Sequence, residues 1–170
     1  MKVLGIDPGT AVMGFGVVEA ARGAPARLVE CGVLRTAAAA PLPARLKVLH
    51  DGVRGLLDRH RPDALAIESA FQGRNARTTI VLSHARGVIL LAAETAGVAI
   101  GEYSPAQVKK AIVGRGAALK PQVGYMVAQH LRLARAPSPS DAADGVAVAL
   151  THLFLQALPR ARAAPALATR

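Results

Sequence analysis

The first part of the chain alternates between short apolar runs and turn residues. Apolar runs at 3–6, 14–19 and 28–34 each have the length of a strand, and the first stops at the sequence DPG. Short apolar runs bounded by Pro and Gly are typical of strands joined by hairpins. The pattern predicts an antiparallel meander of three strands at the start of the fold.

Beyond this meander, helical and strand patterns alternate. Apolar residues recur at helical spacing from Leu46 to Leu57, and a short apolar strand at 64–67 ends at Glu68. The remaining predicted elements are a helix over about 75–96, a strand over 98–103, helices over 105–113 and 120–133, and a last helix after the stretch APSPS. Such alternation predicts parallel strands beside the hairpins. We therefore predict an α/β fold, a mixed five-stranded sheet flanked by helices.

The composition indicates the number of domains and the type of partner. The chain has 170 residues, 52% of them hydrophobic, which suits one domain over residues 1–158. Residues 159–170 form a basic tail with little to bury, and we predict that it is disordered. A net charge of +10 indicates an acidic partner, with nucleic acid as the first candidate.

The lengths of the apolar runs and the cysteine content indicate the cellular compartment. No run of apolar residues is long enough for a transmembrane helix, and the short apolar start is too brief for a signal peptide. The single cysteine, Cys31, excludes an intrachain disulfide and a cysteine-based zinc site. We therefore predict a cytoplasmic protein that does not bind membranes.

Four acidic residues occupy positions suited to a metal site. Asp7 ends the first predicted strand and Glu68 the fourth, so both lie at one sheet edge if these strands are neighbours. Asp141 and Asp144 are three residues apart in the first turn of the last helix. Carboxylates without clustered Cys or His suit Mg²⁺ or Mn²⁺. Two such ions, about 3.5–4 Å apart, would stabilise the attacking and leaving oxygens of phosphodiester cleavage.

Each acid also has a purely structural explanation. Asp141 and Asp144 would each stabilise the helix dipole by about 0.3–1 kcal/mol. Asp7 before Pro-Gly is a common turn residue. Glu68 is harder to explain in this way, because an acid directly after a buried strand is unfavourable unless it meets a cation. The metal site is therefore favoured by the four acids taken together.

The candidate DNA-binding residues lie in the basic central part of the chain. Lys109 and Lys120 flank the Gly-containing loop 114–119, from which they can reach a DNA backbone. Phe71, in a polar loop, either packs in the core or stacks on a base. A solvated helix face remains the alternative for the basic residues. The full predicted set is Phe71, Arg74, Arg77, Lys109, Lys110, Arg115 and Lys120.

Five motifs together resemble one family over nearly the whole chain. They are GIDPGT at 5–10, AIESAFQGRNA at 66–76, ARGV at 85–88, SPAQVKKAIVGRGAALKPQV from Ser104, and DAADGVAVALTH at 141–152. With these motifs the chain resembles the RuvC family of Holliday junction resolvases. The resemblance implies a ribonuclease H-like fold, a homodimer, and a four-way junction delivered by the branch-migration proteins RuvA and RuvB.

The resemblance also implies roles for individual residues. Asp7, Glu68, Asp141 and Asp144 take the positions of the family's catalytic, metal-binding acids. Phe71 takes that of the aromatic residue that contacts the junction, and Lys109 and Lys120 those of the functional lysines. The resulting hypothesis is paired, symmetric nicking of two strands of like polarity by two Mg²⁺ ions per site, with Mn²⁺ as a substitute. The products would carry 5′-phosphate and 3′-hydroxyl ends.

Three other functions agree with parts of the sequence. GIDPGT is also similar to the phosphate-binding hairpin of actin-like ATPases and sugar kinases, but those proteins close two such domains around a nucleotide, and this chain supplies one. A non-catalytic junction binder has no need for four acids close to DNA. A general ribonuclease H-like nuclease, which cuts RNA–DNA hybrids or simple duplex, is not excluded by spacing; only the family resemblance argues against it.

Overall fold

One mixed sheet forms the centre of the protein. The structure is a computed structural model that describes residues 1–21, 23–69 and 76–157. The sheet has the order β3-β2-β1-β4-β5, and its strands are β1 (Lys2–Asp7), β2 (Val12–Glu19), β3 (Arg27–Arg35), β4 (Ala64–Glu68) and β5 (Ala99–Tyr103). The first three strands are antiparallel, whereas β4 pairs in parallel with both β1 and β5. The predicted meander and the predicted parallel strands are both confirmed.

In the described part of the chain, five helices cover the two faces of this sheet. They are α1 (Leu42–His60), α2 (Ala76–Thr95), α3 (Pro105–Val113), α4 (Lys120–His130) and α5 (Ser140–Ala157). The apolar residues of α1 and α2 form one core with Leu4, Ile6 and Leu65 of the sheet. On the other face, α3, α4 and α5 share a second core with Val3, Val18 and Ala66. The predicted α/β class, with helices on both sides of the sheet, is confirmed.

Two helix boundaries differ from the prediction. The helix expected from Leu46 begins at Leu42, because Pro43 lies in its first turn, where a backbone N–H has no helical partner in any case. The helix expected to reach Leu133 ends at His130. Arg132 has a φ of 53°, a left-handed conformation that a helix cannot continue through. The Leu133 amide then bonds the Ala128 carbonyl and closes the turn.

Helix α5 lies directly on β1 and β2 because glycines remove the side chains between them. A Cβ atom on Gly145 would lie only 2.6 Å from the Cα of Phe15, and one on Gly5 only 2.3 Å from the Ala149 nitrogen. Neither position has room for a side chain. This close packing brings the first turn of α5 against the strand pair that ends at Asp7.

Two further predictions concern the C-terminal tail and membrane-spanning helices. The predicted tail, 159–170, lies outside the described residues, so its disorder stays a prediction. Within the ranges that the structure describes, no helix is both long and apolar enough to cross a membrane.

Candidate active site

Asp7 and Glu68 lie side by side at one edge of the sheet. They end the parallel strands β1 and β4, in which Ile6 pairs with Ile67. Both carboxylates line a cleft of about 270 Å³ that also contains Asp144. The sequence predicted this arrangement on the condition that the two strands are neighbours, and the sheet order meets that condition.

The first turn of α5 brings two further acids to this edge. Carboxylate oxygens of Asp7, Asp141 and Asp144 all lie within 4.8 Å of one another. Glu68 lies on the β4 side of the same cleft. These four residues offer only oxygen ligands, which are the donors that a hard divalent cation prefers. The residues present therefore fit a magnesium or manganese site.

The acids are close enough to disturb each other's ionisation. Burial raises the pKa of Asp7 to about 6, and the negative charges of Asp144 and Asp141 contribute to the shift. Burial likewise raises the pKa of Glu68 to about 7, with further contributions from Asp7 and Asp144. Burial and the neighbouring carboxylates thus both oppose ionisation of these two acids, and Lys120 only partly offsets them. A bound cation would relieve this repulsion.

Two of the predicted lysines lie at the cleft. Lys120 Nζ donates a hydrogen bond of 2.7 Å to Asp144 Oδ2, and this bond is the main reason why the pKa of Lys120 is raised. Lys109, on α3, also lines the cleft and is half-buried. The cleft therefore contains cations on the side formed by α3 and α4.

The other predicted DNA-binding residues are more scattered. Lys110 and Arg115 are exposed, on α3 and on the loop after it, outside the set that lines the cleft. Arg77 lines a separate groove of about 570 Å³ between α2 and the β1–β2 turn. Phe71 and Arg74 lie outside the described residues. The structure thus brings together the four acids with Lys109 and Lys120, but not with Lys110 or Arg115.

Sequence reasoning missed one cation beside the acids. Arg86 of α2 lines a smaller groove of about 180 Å³ that Asp7 and Glu68 also line. Arg86 is not among the DNA-binding residues predicted from the sequence. The available signal was its place next to Ala85 and three residues before Ile89, both buried, because an Arg so close to a buried helix face needs a reason to be there.

A buried polar pair lies behind the site. Tyr103 Oη and His152 Nδ1 are 2.8 Å apart and hydrogen bonded. Tyr103 pairs with Glu68 across β4 and β5, and His152 lies on α5, two turns beyond Asp144. The pair therefore connects α5, which carries Asp144, with β5, the strand next to the one that carries Glu68. The sequence analysis had assigned no role to any histidine.

The sheet order and the acids at its edge define a class of protein, a nuclease with a ribonuclease H-like fold. The sequence profile described as crossover junction endodeoxyribonuclease RuvC matches residues 3–152. The chain therefore belongs to the RuvC family.

Individual relatives agree with this assignment. The crossover junction endodeoxyribonuclease RuvC of Frankia alni is 48% identical over 165 residues, which cover 96% of this chain and 84% of the relative. A structure of Thermus thermophilus RuvC is 41% identical, with a TM-score of 0.83, and the match covers 92% of this chain and 95% of that one. A second T. thermophilus RuvC structure, in complex with a Holliday junction substrate, is 38% identical with the same TM-score and coverage.

Proposed function

We propose that this chain is a structure-specific endonuclease that resolves four-way DNA junctions. The observation that carries the proposal is the convergence of Asp7, Asp141 and Asp144 within 4.8 Å of one another, in a chain of the RuvC family with a net charge of +10. A related RuvC, from T. thermophilus, is in complex with a Holliday junction substrate. An acidic pocket on a basic protein suits a substrate that is held by cations and cut at a metal site.

We propose Mg²⁺ as the cofactor, with two ions per site and Mn²⁺ as a substitute. Asp7, Glu68, Asp141 and Asp144 would hold the ions. Asp7 and Asp144 belong both to the tight group with Asp141 and to the cleft shared with Glu68, so these two acids link the two parts of the site. When bound, the ions would lower the pKa of water and stabilise charge on the attacking and leaving oxygens.

The remaining residues would bind and orient the DNA strand. Lys109 and Lys120 would contact backbone phosphates and offset their repulsion by the four acids. A water oxygen would bond to phosphorus while the bond from phosphorus to the 3′-oxygen breaks and that oxygen takes up a proton. This gives 5′-phosphate and 3′-hydroxyl ends. Further DNA contacts are assigned to Phe71, Arg74, Arg77, Lys110 and Arg115.

Symmetric cleavage of a junction requires two sites related by a two-fold axis, so we propose a homodimer. Helix α2 offers an interface: Ile80 is 57% exposed and Leu91 58% exposed, and His84 and Gly87 lie between them on the same helix face. Two large apolar side chains exposed on one helix face favour contact with a second copy. Paired nicks would then fall in strands of like polarity, and RuvA and RuvB would deliver the junction.

The deciding experiment compares substrates of the same sequence. The purified chain is incubated with an end-labelled four-way junction, a linear duplex and an RNA–DNA hybrid, with Mg²⁺ or with EDTA, and the cuts are mapped on denaturing gels. Symmetric nicks confined to the junction, dependent on Mg²⁺ and resealed by DNA ligase, are expected. Equal cutting of duplex or hybrid would instead identify a general nuclease, and binding without cutting a junction binder.

A further inference from the structure

Two grooves meet at the carboxylates. The larger is lined by Lys109 and Lys120, and the smaller, of about 180 Å³, lies between the sheet edge and α2. Asp7, Glu68 and Pro105 line both grooves. A DNA strand that places a phosphate at the acids therefore extends into the larger groove on one side and into the smaller groove on the other.

The strand needs favourable charge on both sides of the acids, because four carboxylates repel every phosphate near them. The two lysines supply it in the larger groove. The smaller groove is lined by Asp7, Pro8, Glu68, Ser69, Leu82, Arg86 and Pro105. Within this described lining, Arg86 is the cationic side chain.

Arg86 is held in a way that leaves it available to a phosphate. Its guanidinium contacts the carboxylate of Glu102 on β5, which is 51% exposed. The Arg86 side chain is 21% exposed, so the pair is open to water mainly on the Glu102 side, and Glu102 is the partner that a phosphate can replace. The Arg86 Nε atom is buried, so a phosphate would be bound by the outer nitrogens of the guanidinium, one of which contacts Glu102. A planar guanidinium can donate two parallel hydrogen bonds to the oxygens of one phosphate.

We propose that Arg86 binds the DNA backbone at a phosphate next to the scissile one, on the side of the carboxylates opposite Lys109 and Lys120. The inference rests on the proposed function, since it assigns a further DNA-binding residue to the same site. Glu102 holds the guanidinium at the groove when no DNA is bound.

The test compares the two partners of the ion pair. Junction binding is measured at several salt concentrations with the chain inactivated by Asp7→Asn, and then with Arg86→Gln, Arg86→Lys or Glu102→Gln added. Each phosphate contact contributes about 0.9 to the slope of log affinity against log salt. Arg86→Gln should lower the slope by about that amount and weaken binding roughly tenfold at 0.1 M salt. Arg86→Lys and Glu102→Gln should keep the slope, because both retain a cation at the groove.

The alternative is that the ion pair merely fastens α2 to β5. In that case Arg86→Gln and Glu102→Gln would lower the melting temperature equally, and neither would change the slope, which would overturn the inference. If Asp7→Asn alone fails to prefer the junction over linear duplex, the proposed function fails, and this inference fails with it. Junction preference with an unchanged slope in Arg86→Gln rejects the role of Arg86 alone.

Discussion

Lys120 Nζ lies 2.7 Å from Asp144 Oδ2, so an internal cation binds one of the acids that would hold the metal. Carboxylate oxygens of Asp7 and Asp141 lie within 4.8 Å of those of Asp144. The ammonium group therefore neutralises part of the charge that a metal would otherwise neutralise. We therefore expect a bound metal ion to compete with Lys120 for Asp144, and the released Lys120 to become available to the substrate.

Lys120→Ala should raise the affinity for metal ions and lower the rate of junction cleavage. Without the competing ammonium, Mn²⁺ should bind about two- to fivefold more tightly, a range that matches the small free energy of an ion pair whose lysine is 67% exposed. Cleavage of the junction should fall, because a phosphate contact is lost. Titration of Mn²⁺ by electron paramagnetic resonance and single-turnover cleavage measure the two effects. Lys110→Ala, an exposed lysine outside the cleft, is the control; weaker Mn²⁺ binding in Lys120→Ala would contradict the competition.

Asp7→Asn should abolish cleavage and also stabilise the metal-free protein. The pKa of Asp7 rises from 3.8 to about 6, and a unit of pKa corresponds to about 1.4 kcal/mol. Removal of this charge at pH 8 in EDTA should therefore raise the free energy of unfolding by on the order of 1–3 kcal/mol. At pH 5 the gain should be much smaller, since Asp7 is then largely protonated in the folded state.

Urea denaturation at both pH values checks this prediction, and a junction-binding assay shows whether the variant still recognises DNA. Loss of junction binding together with lower stability would indicate that Asp7 has a structural role.

The wild-type protein in EDTA should lose stability as the pH rises. The folded-state pKa values of Asp7 and Glu68, about 6 and about 7, lie above the ordinary values of 3.8 and 4.5. The folded state therefore binds more protons than the unfolded state between about pH 4 and pH 7, and stability falls through this range. Saturating Mg²⁺ should reverse the trend, because the metal needs the ionised acids. The double variant Asp7→Asn/Glu68→Gln is the control. If its stability depends on pH as strongly as that of the wild type, other groups cause the pH dependence.

Gly145→Ala should destabilise the fold. The new methyl group would meet the backbone of Phe15, 2.6 Å away, and force α5 off the sheet. Overpacking of this kind costs about 1–3 kcal/mol. Gly55→Ala on α1, where the methyl group meets no atom within 4 Å, should instead stabilise by about 0.5–1 kcal/mol. Thermal denaturation of both variants checks this prediction. An unchanged melting temperature in Gly145→Ala would show that the contact between α5 and the sheet has room for a methyl group.

Ile80→Glu should disrupt the proposed dimer. A charge in the centre of an apolar interface must be desolvated, so the variant should be monomeric in light scattering after size-exclusion chromatography. Its nicks in a junction should become independent rather than paired. Val48→Glu on α1, another exposed apolar position, should leave the mass of the particle unchanged. A wild-type protein that is monomeric both alone and on the junction would refute the dimer.

Particular elements show how far sequence reasoning reached. The strands that end at Asp7 and Glu68 follow from apolar runs stopped by turn residues, and α3 begins and ends where predicted, since Ser104 caps it and Gly114 ends it. The early start of α1 and the end of α4 at His130 were missed. Both boundaries depend on the backbone conformation of single residues, which apolar spacing does not report.

The sequence by itself determined the α/β class, the basic character of the surface and the four candidate acids, because these depend on residue types and local periodicity. Only the tertiary structure decided that β1 and β4 are neighbours and that α5 lies against glycines of β1 and β2. It also decided that Arg86 lies beside Asp7 and Glu68, whereas Lys110 and Arg115 lie away from the cleft. The physical reason is that distances between side chains far apart in sequence are set by strand order and by helix packing against the sheet, and these depend on contacts throughout the chain.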